Sequence, residues 1–405
     1  MKKLLQINTV VNSASTGRIA EEIGRAAITD GWESYMAYGR NERTSISKKI
    51  KVGSNWDVYW HGVDTRLFDK HGLASKNATR KLVQKIDQIK PDIIHLHNIH
   101  GYYLNIRILF DYLSTIKTPV VWTLHDCWPI TGHCTYFSFV KCDKWKTECC
   151  KCPQIHSYPA SFICDRSTKN FLLKKELFSS LNNLMLVPVS FWLDELIKDS
   201  FLQERRSKVI HNGINIETFS PQENISLIKQ KYNIADNKFI ILGVASVWEK
   251  RKGLKDFIEL SKLLKDDEVI VLVGLTKRTI NNLPDNIIGI ERTENVQELA
   301  KLYSAANVYV NPTWEDNYPT TNLEAISCGT PVITYKTGGS PESITPETGF
   351  IVRQGNLSEL RKGIKIIKDK GADSYIKNCR QVAVNNFNGQ MKYKEYIELY
   401  RQLLS

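Results

Sequence analysis

Apolar residues recur along this chain in short blocks of four to seven, each followed by a stretch where they fall three or four apart. The blocks Lys3–Thr9, Ile93–His97, Val120–Leu124 and Leu184–Ser190 read as buried strands bounded by polar turns. A second series follows at Phe239–Ala245, Val269–Val273, Ile287–Ile290, Val308–Asn311 and Val332–Tyr335. Helical spacing marks Thr16–Thr29, Leu254–Lys265, Val296–Ser304, Thr320–Cys328 and, last, Met391–Leu404. Strand–helix alternation of this kind predicts an α/β chain with parallel, doubly wound sheets covered by helices on both faces. The series restarts within "VIHNGINIETFSP", Val209 to Pro221, where Asn-Gly and Pro punctuate the chain. The expected organisation is therefore a Rossmann-like domain over 1–208, a second over 209–386 and a final helix over 387–405. Open α/β sheets bind ligands beyond the C-terminal ends of their strands, so two of them face a cleft.

The length of 405 residues suits two or three domains at roughly 100–200 residues each. With 42% apolar residues there is enough to build cores. Gln6, Asn8 and Thr9 interrupt the first apolar block, which reads as a strand rather than a signal peptide. No run of about 18 apolar residues occurs, so no transmembrane helix is predicted and the expected location is cytoplasmic. The net charge of +12 is uneven: residues 1–215 carry 30 Lys/Arg against 20 Asp/Glu, and the remainder 25 against 23. A basic first half fits an anionic membrane surface or a phosphorylated substrate. It fits nucleic acid poorly, because the cations are dispersed and no aromatic-rich RNA motif accompanies them. Neither G-x-G-x-x-G nor a Walker-type loop occurs, which argues against a dinucleotide dehydrogenase and a P-loop enzyme.

The densest chemistry lies in "NPTWEDNYPTTNLEAISCGTPVI", Asn311 to Ile333. Pro319 and Thr320 suit the first turn of a helix and Gly329 its end. A helix N-terminus presents unpaired N–H groups, which makes it an anion site, and phosphate is the natural guest. Glu324 sits one turn further in, where a carboxylate can accept from the paired hydroxyls of a ribose; Asp316, in the loop, can do the same for another polyol. Phosphate between two polyols describes a sugar nucleotide. A capping acid and a buried, paired Glu is the other reading of the same residues.

"EDNYPTTNLEAISCGTPVI" resembles the E-x7-E signature of the family-four retaining glycosyltransferases, with Asp316 in place of the first Glu and Glu324 as the second. "STGRIAEEIG" resembles the family's first Gly-containing loop, and "PDIIHLHNIHG" and "PVVWTLHD" its two His-bearing strand ends. "VWEKRKGL" resembles its diphosphate motif and "GGSPE" the close of its signature. The branch it is similar to builds bacterial surface polysaccharides of colanic-acid and O-antigen type. The resemblance implies a GT-B fold, with the donor on the second domain, the acceptor mostly on the first, and the final helix crossing back. It places Gly17, Arg251, Lys252, Arg292, Asn317, Tyr318, Pro319 and Thr320, with Asp316 and Glu324, around a UDP- or GDP-sugar. His125 and Asp126, with Arg251, Lys252 and Asp316, take the reacting centre; His97 and His100 take the acceptor side. The position of the family's usual Arg is Val247, so Arg251 is the substitute. No D-x-D occurs, and the implied reaction is metal-independent retaining transfer to a lipid-linked oligosaccharide at the inner face of the membrane. A catalytically inactive sugar-nucleotide- or glycan-binding protein is the alternative, because of Asp316 and Val247.

Six of the nine cysteines lie between Cys127 and Cys152, in an insertion of about residues 128–159 that follows His125 and Asp126. In a reducing compartment, Cys134, Cys142, Cys149 and Cys152 fit a closed structural zinc site. Disulfides and unligated thiols stay open beside it. Two roles stay open for the insertion, stiffening a lid or shaping the acceptor pocket.

Overall fold

The structure is a computed structural model describing residues 1–405. The chain divides into two compact units: residues 1–211 with 392–405, and residues 212–391.

Unit 1 holds seven strands, β1 (Lys3–Val11), β2 (Glu33–Glu42), β3 (Lys48–Lys51), β4 (Ile93–Leu96), β5 (Val120–Leu124), β6 (Leu184–Pro188) and β7 (Arg206–Ser207). All pair in parallel, in the order β3-β2-β1-β4-β5-β6-β7. Unit 2 holds β8 (Phe239–Val244), β9 (Glu268–Val273), β10 (Ile287–Ile290), β11 (Val308–Asn311), β12 (Val332–Tyr335) and β13 (Gly349–Val352). They too are parallel, in the order β10-β9-β8-β11-β12-β13. The order reverses between β1 and β4 in one sheet and between β8 and β11 in the other. These switch points are where open α/β sheets leave room for ligands.

Successive side chains along a strand point to opposite faces, and the cores divide accordingly. Leu5, Ile7, Ile94 and Leu96 join the core beneath helices Lys76–Ile89, Ile106–Thr115 and Ser167–Ser179. Their neighbours Leu4 and Ile93 join the opposite core with helix Ala14–Thr29. That second core is closed by the last helix, Gly389–Leu404, through Tyr393, Tyr396, Ile397, Leu399 and Tyr400.

Every strand expected from the apolar blocks is present, with ends shifted by at most two residues. The blocks did not mark β2, β3, β7 and β13. β2 is interrupted by Ser34, Gly39 and Arg40, and Ser34 is buried only because its hydroxyl meets that of Ser47 at 2.8 Å. β3 is "KKIK", an edge strand whose lysines keep the edge polar.

The last helix is held by polar contacts as well as packing. The Tyr400 hydroxyl lies 2.7 Å from His95 Nδ1, and His95 Nε2 lies 2.8 Å from Thr123 Oγ1, which donates to the Tyr396 hydroxyl at 3.1 Å. Because Thr123 spends its proton on Tyr396, it accepts from His95 Nε2–H, which leaves Nδ1 to accept from Tyr400. Tyr400→Phe therefore strands one buried imidazole nitrogen at a cost of about 1–3 kcal/mol, while Tyr400→Ala also empties a ring-sized space, for about 3–5 kcal/mol. Urea unfolding should rank the two variants in that order below the parent.

Candidate active site

In unit 2 the site is built on the loops that leave β8 and β11. The chain after β8 forms a tight turn, Lys250–Lys252, and enters helix Leu254–Ser261 through Gly253. Gly253 has φ +77°, and a Cβ there would lie 2.2 Å from the Pro312 carbonyl oxygen. Only glycine lets the basic turn approach the β11 loop so closely. The contact is stitched by Trp314 N donating to the Arg251 carbonyl at 2.7 Å and by Arg251 Nη1 donating to the Glu315 carbonyl at 2.9 Å. Arg251 Nε also meets Glu249 at 2.9 Å. The guanidinium is thus a structural clamp as well as a charge.

At the centre of this contact Lys252 Nζ meets Asp316 Oδ2 at 2.5 Å, while Oδ1 accepts from Asn317 N at 3.0 Å. Burial alone would raise the Asp316 pKa, but Lys252 and Arg251 together hold it below the usual carboxylate range. From the other side the β12 loop closes in. At Gly338 (φ +54°) a Cβ would fall 1.8 Å from the Asp316 carbonyl oxygen, which also accepts from Gly339 N at 3.3 Å.

Helix Thr320–Ser327 follows, with Pro319 as its N-cap and no side chain capping its first amides. Asn317, Tyr318 and Pro319 are buried and Thr320 is partly exposed. Glu324 is 5% exposed and accepts from the Tyr303 hydroxyl at 3.1 Å. Both acids therefore already have partners, Asp316 in the cationic turn and Glu324 in the interior. Asn322 bonds Asn311 at 2.8 Å, Ser340 at 3.1 Å and Ser343 at 3.0 Å, which ties the β11 strand, this helix and the "GGSPE" turn into one piece. Sequence reading had passed over Asn322. Arg292 is exposed just past the edge strand β10, outside this set of contacts. Val247 is 63% exposed in the β8 loop.

In unit 1 the structure brings His97, His100, His125 and Asp126 together at the ends of β4 and β5. His97 Nε2 lies 3.0 Å from Gln6 Oε1, whose amide is oriented by its own bond to the Ala20 carbonyl at 2.9 Å. Gln6 Oε1 can only accept, so His97 carries its proton on Nε2 and accepts on Nδ1. His125 Nε2, 3.2 Å away, is then the donor, and its Nδ1 becomes the acceptor nitrogen. His97 is 1% exposed, stacked on His95 at 4.1 Å, so it acts behind His125 rather than at the surface of the site. Burial lowers the His125 pKa to about 4, although Asp126 opposes the shift. His100 Nε2 meets Asp126 at 2.9 Å, and its Nδ1 lies 3.3 Å from the Tyr158 hydroxyl. Tyr158 belongs to the Cys-rich insertion, which thereby reaches this histidine. Tyr102, flanked by the guanidiniums of Arg40 and Arg66 at 5.6 Å each, stands 6.0 Å from Tyr158.

Gly17 lies in the first turns of helix Ala14–Thr29, where a Cβ would sit 2.9 Å from Val10 Cγ2. Its part here is close helix–strand packing.

Lys174 was also missed. It is 2% exposed, donates to the Trp128 and Thr131 carbonyls at 2.7 and 2.9 Å, and lies 3.5 Å over the Trp128 ring. Burial drops its pKa to about 7. The signal was available: it occupies the same inward stripe as Asn170, Phe171, Leu177 and Phe178.

Cys134, Cys142, Cys149 and Cys152 line one cavity of about 10 Å3 together with His133 and Cys150. All nine cysteines are free thiols, and no group of three or more His, Cys, Asp or Glu is set to hold a metal ion. The four gather, but as packed thiols. Cys134 hydrogen-bonds Cys152, which brings the Cys152 pKa down to about 7, and the stacked rings of Phe137 and Trp145 fill the space beside them. The expected zinc site is not assembled.

Residues 16–218 match the family described as Glycosyltransferase Family 4, and residues 224–385 match Glycosyl transferases group 1. The chain is 24% identical over 422 residues to WcaC of Escherichia coli, named as a colanic acid biosynthesis glycosyl transferase, spanning 99% of this chain and 100% of that one. It is 26% identical over 221 residues to the UDP-Gal:alpha-D-GlcNAc-diphosphoundecaprenol alpha-1,3-galactosyltransferase of Escherichia coli, across 50% of this chain and 56% of that protein. Among solved structures, sucrose-phosphate synthase from Thermosynechococcus elongatus superposes with a TM-score of 0.74 at 18% identity, covering 100% and 99% of the two chains. Anabaena HepE in complex with UDP-glucose gives 0.68 at 15%, covering 99% and 100%. Likenesses at these identities establish the fold, GT-B.

The buried histidines fix a pH dependence. His61, lowered by burial to about 3, His125, at about 4, and His71, His95 and His97, also depressed by burial, are neutral when folded and take up protons on unfolding below about 6.5. Each unfolded-state proton removes up to about 1.4 kcal/mol of stability per pH unit. Thermal denaturation at constant ionic strength should show Tm falling steadily from pH 7 to 5; a flat profile would contradict the neutral, buried assignment.

Proposed function

The chain belongs to glycosyltransferase family 4, and from that premise we propose that it moves a sugar, with retention and without a metal ion, from a nucleoside diphosphate sugar to a lipid-linked oligosaccharide in bacterial surface polysaccharide synthesis. The observation that carries the reading is the Lys252–Asp316 pair beside the uncapped start of helix Thr320–Ser327. Fixed cations and open amides converge there, the arrangement that a departing diphosphate needs.

The donor sits in unit 2. As the C1–oxygen bond to the diphosphate breaks, charge grows on the leaving oxygens, and Lys252, Arg251 and the first amides of the helix receive it. Asp316 holds Lys252 aimed, and its remaining lone pairs can accept from sugar hydroxyls. Glu324 takes the nucleoside side. A new bond forms from the acceptor oxygen to C1 on the same face, and the acceptor proton passes to the departing phosphate. In unit 1, His125, whose ring is held by His97 and Gln6, lies on the acceptor side, and His100, Asp126 and Tyr158 frame the acceptor. The lipid-linked acceptor is supported by the name of the Escherichia coli galactosyltransferase, and a uridine donor by that name and by the UDP-glucose complex of HepE.

The test is a transfer assay with a panel of UDP- and GDP-sugars and undecaprenyl-diphosphate-linked acceptors, with and without EDTA. Transfer unaffected by EDTA is expected, together with loss of about 10²–10³-fold in Lys252→Ala at unchanged circular dichroism. Near-parent rates in that variant would remove Lys252 from the reaction.

A further inference from the structure

Helix Asn55–Phe68 is built inside out. The side it buries carries His61, Gly62 and Thr65. His61 is consumed there by polar contacts, Nδ1 to Ser75 Oγ at 2.8 Å and Nε2 to Gly72 N at 3.1 Å. The side it turns to solvent carries Trp56, Tyr59 and Trp60, which are 71%, 58% and 62% exposed. They share one helical stripe, and their rings touch one another, with centroids 6.0 and 5.5 Å apart. The stripe is continued by a neighbouring loop: Phe162 N donates to the Arg66 carbonyl at 2.7 Å, and Phe162 and Ile163 are 62% and 71% exposed. Tryptophan and tyrosine left uncovered in this number form a patch and not the scattered exposure normal for a soluble surface.

The flank of the same helix that carries Asp57 and Asp64 opens onto a groove of about 1110 Å3 whose lining includes six cations and four acids. Several acids there are engaged within the chain: Asp57 caps its own helix by accepting from Ser54 N, Asp64 faces Lys70 at 3.6 Å, and Glu176 pairs with Arg107 at 3.2 Å. Lys76, Arg80 and Lys169 give the groove its positive balance, within the half of the chain that carries most of the +12 charge. The opposite flank leads inward, since Arg66 stacks on Tyr102 at 5.6 Å, Tyr102 neighbours Tyr158, and Tyr158 neighbours His100.

From this geometry we propose that the outer face of helix Asn55–Phe68, with the Phe162–Ile163 loop, docks on a lipid bilayer carrying anionic headgroups. Trp56, Tyr59, Trp60, Phe162 and Ile163 enter the headgroup region, where amphipathic rings are favoured, and Lys76, Arg80 and Lys169 meet the lipid phosphates. No helix of the chain is long and apolar enough to cross a membrane. The contact is peripheral and depends on both apolar area and charge. The inference rests on the lipid-linked acceptor proposed above, because it explains how one helix can join the bilayer to the His100–Tyr158 cluster.

Co-sedimentation of the full chain with vesicles of phosphatidylethanolamine and phosphatidylglycerol, against phosphatidylcholine alone, tests it. Binding to the anionic vesicles is expected, weakened by salt. Trp56→Ser/Trp60→Ser should lower partitioning by about tenfold or more, and Lys76→Ser/Arg80→Ser should lower it on anionic vesicles only. Both variants alter exposed positions, and their thermal shift with a UDP-sugar should equal the parent's. Equal sedimentation of parent and Trp variant, or none by the parent at low salt, overturns the proposal. So does a parent dimer in sedimentation velocity that the Trp variant abolishes, since a second copy would then cover the stripe. Vesicle binding is read without turnover: a chain that binds vesicles but transfers no sugar keeps this surface and loses the proposed reaction, and the reverse result does the opposite.

Discussion

The ion pair between Lys252 and Asp316 organises the loops at one end of the unit 2 sheet, and it exists because two turns that leave different strands can touch. Asp316 would not stay charged at this depth alone, since burying an unpaired ion costs several kcal/mol. Their distance of 2.5 Å requires the backbone of the β8 turn to lie against that of the β11 loop. Glycine at 253 removes the side-chain atom that would hold those backbones apart, and glycine at 338 does the same between the β12 loop and Asp316. Asn322, bonded to Asn311, Ser340 and Ser343, then ties the end of β11 to the turn that follows β12. The parallel sheet contributes the rest by delivering all three loops at the same end of their strands.

Unit 1 solves a different problem, that of holding neutral imidazoles in a defined tautomer. The chain of contacts begins at the Ala20 carbonyl, which turns the Gln6 amide, and passes through His97 to His125 Nε2. A parallel line runs from Tyr400 through His95 to Thr123 and Tyr396. The two lines meet where the His95 and His97 rings stack. The last helix therefore does more than cover apolar surface: its tyrosines set the ring on which the site histidines lean. Low pKa values follow from burial and keep these nitrogens as hydrogen-bonding groups instead of charges near neutral pH.

Much of the fold was legible because buried parallel strands are written as unbroken apolar runs, as in β5 and β9. The strands that escaped were those whose burial depends on partners: β2, where Ser34 needs Ser47, and β3, a lysine-rich edge. The candidate site groups were legible only by motif. Spacing could place Asp316 and Glu324 near a helix start, but not that Asp316 would already bind Lys252 or that Glu324 would face Tyr303. Lys174 and Tyr158 escaped for another reason. Their contacts bridge the Cys-rich insertion to the rest of unit 1: the helical stripe marks Lys174 as inward, but nothing local in the sequence records which loop it holds. The cysteine spacing was legible as a cluster and misleading as a metal site, because the thiols pack with Phe137 and Trp145 around a space of about 10 Å3.

Two departures from the family pattern become one physical argument in the structure. Aspartate is a methylene shorter than glutamate, so the carboxylate at 316 stays close to its own backbone, where Asn317 N and Lys252 both reach it. The position of the family's usual arginine, Val247, is a valine 63% exposed to water, where a cation would be solvated and weak. The arginine found nearby, Arg251, is instead anchored through Glu249 and the Glu315 carbonyl, and it adds to the field that keeps Asp316 ionised. Positive charge thus sits on a clamped turn and not on the exposed part of the β8 loop, and the short acid meets it there through Lys252.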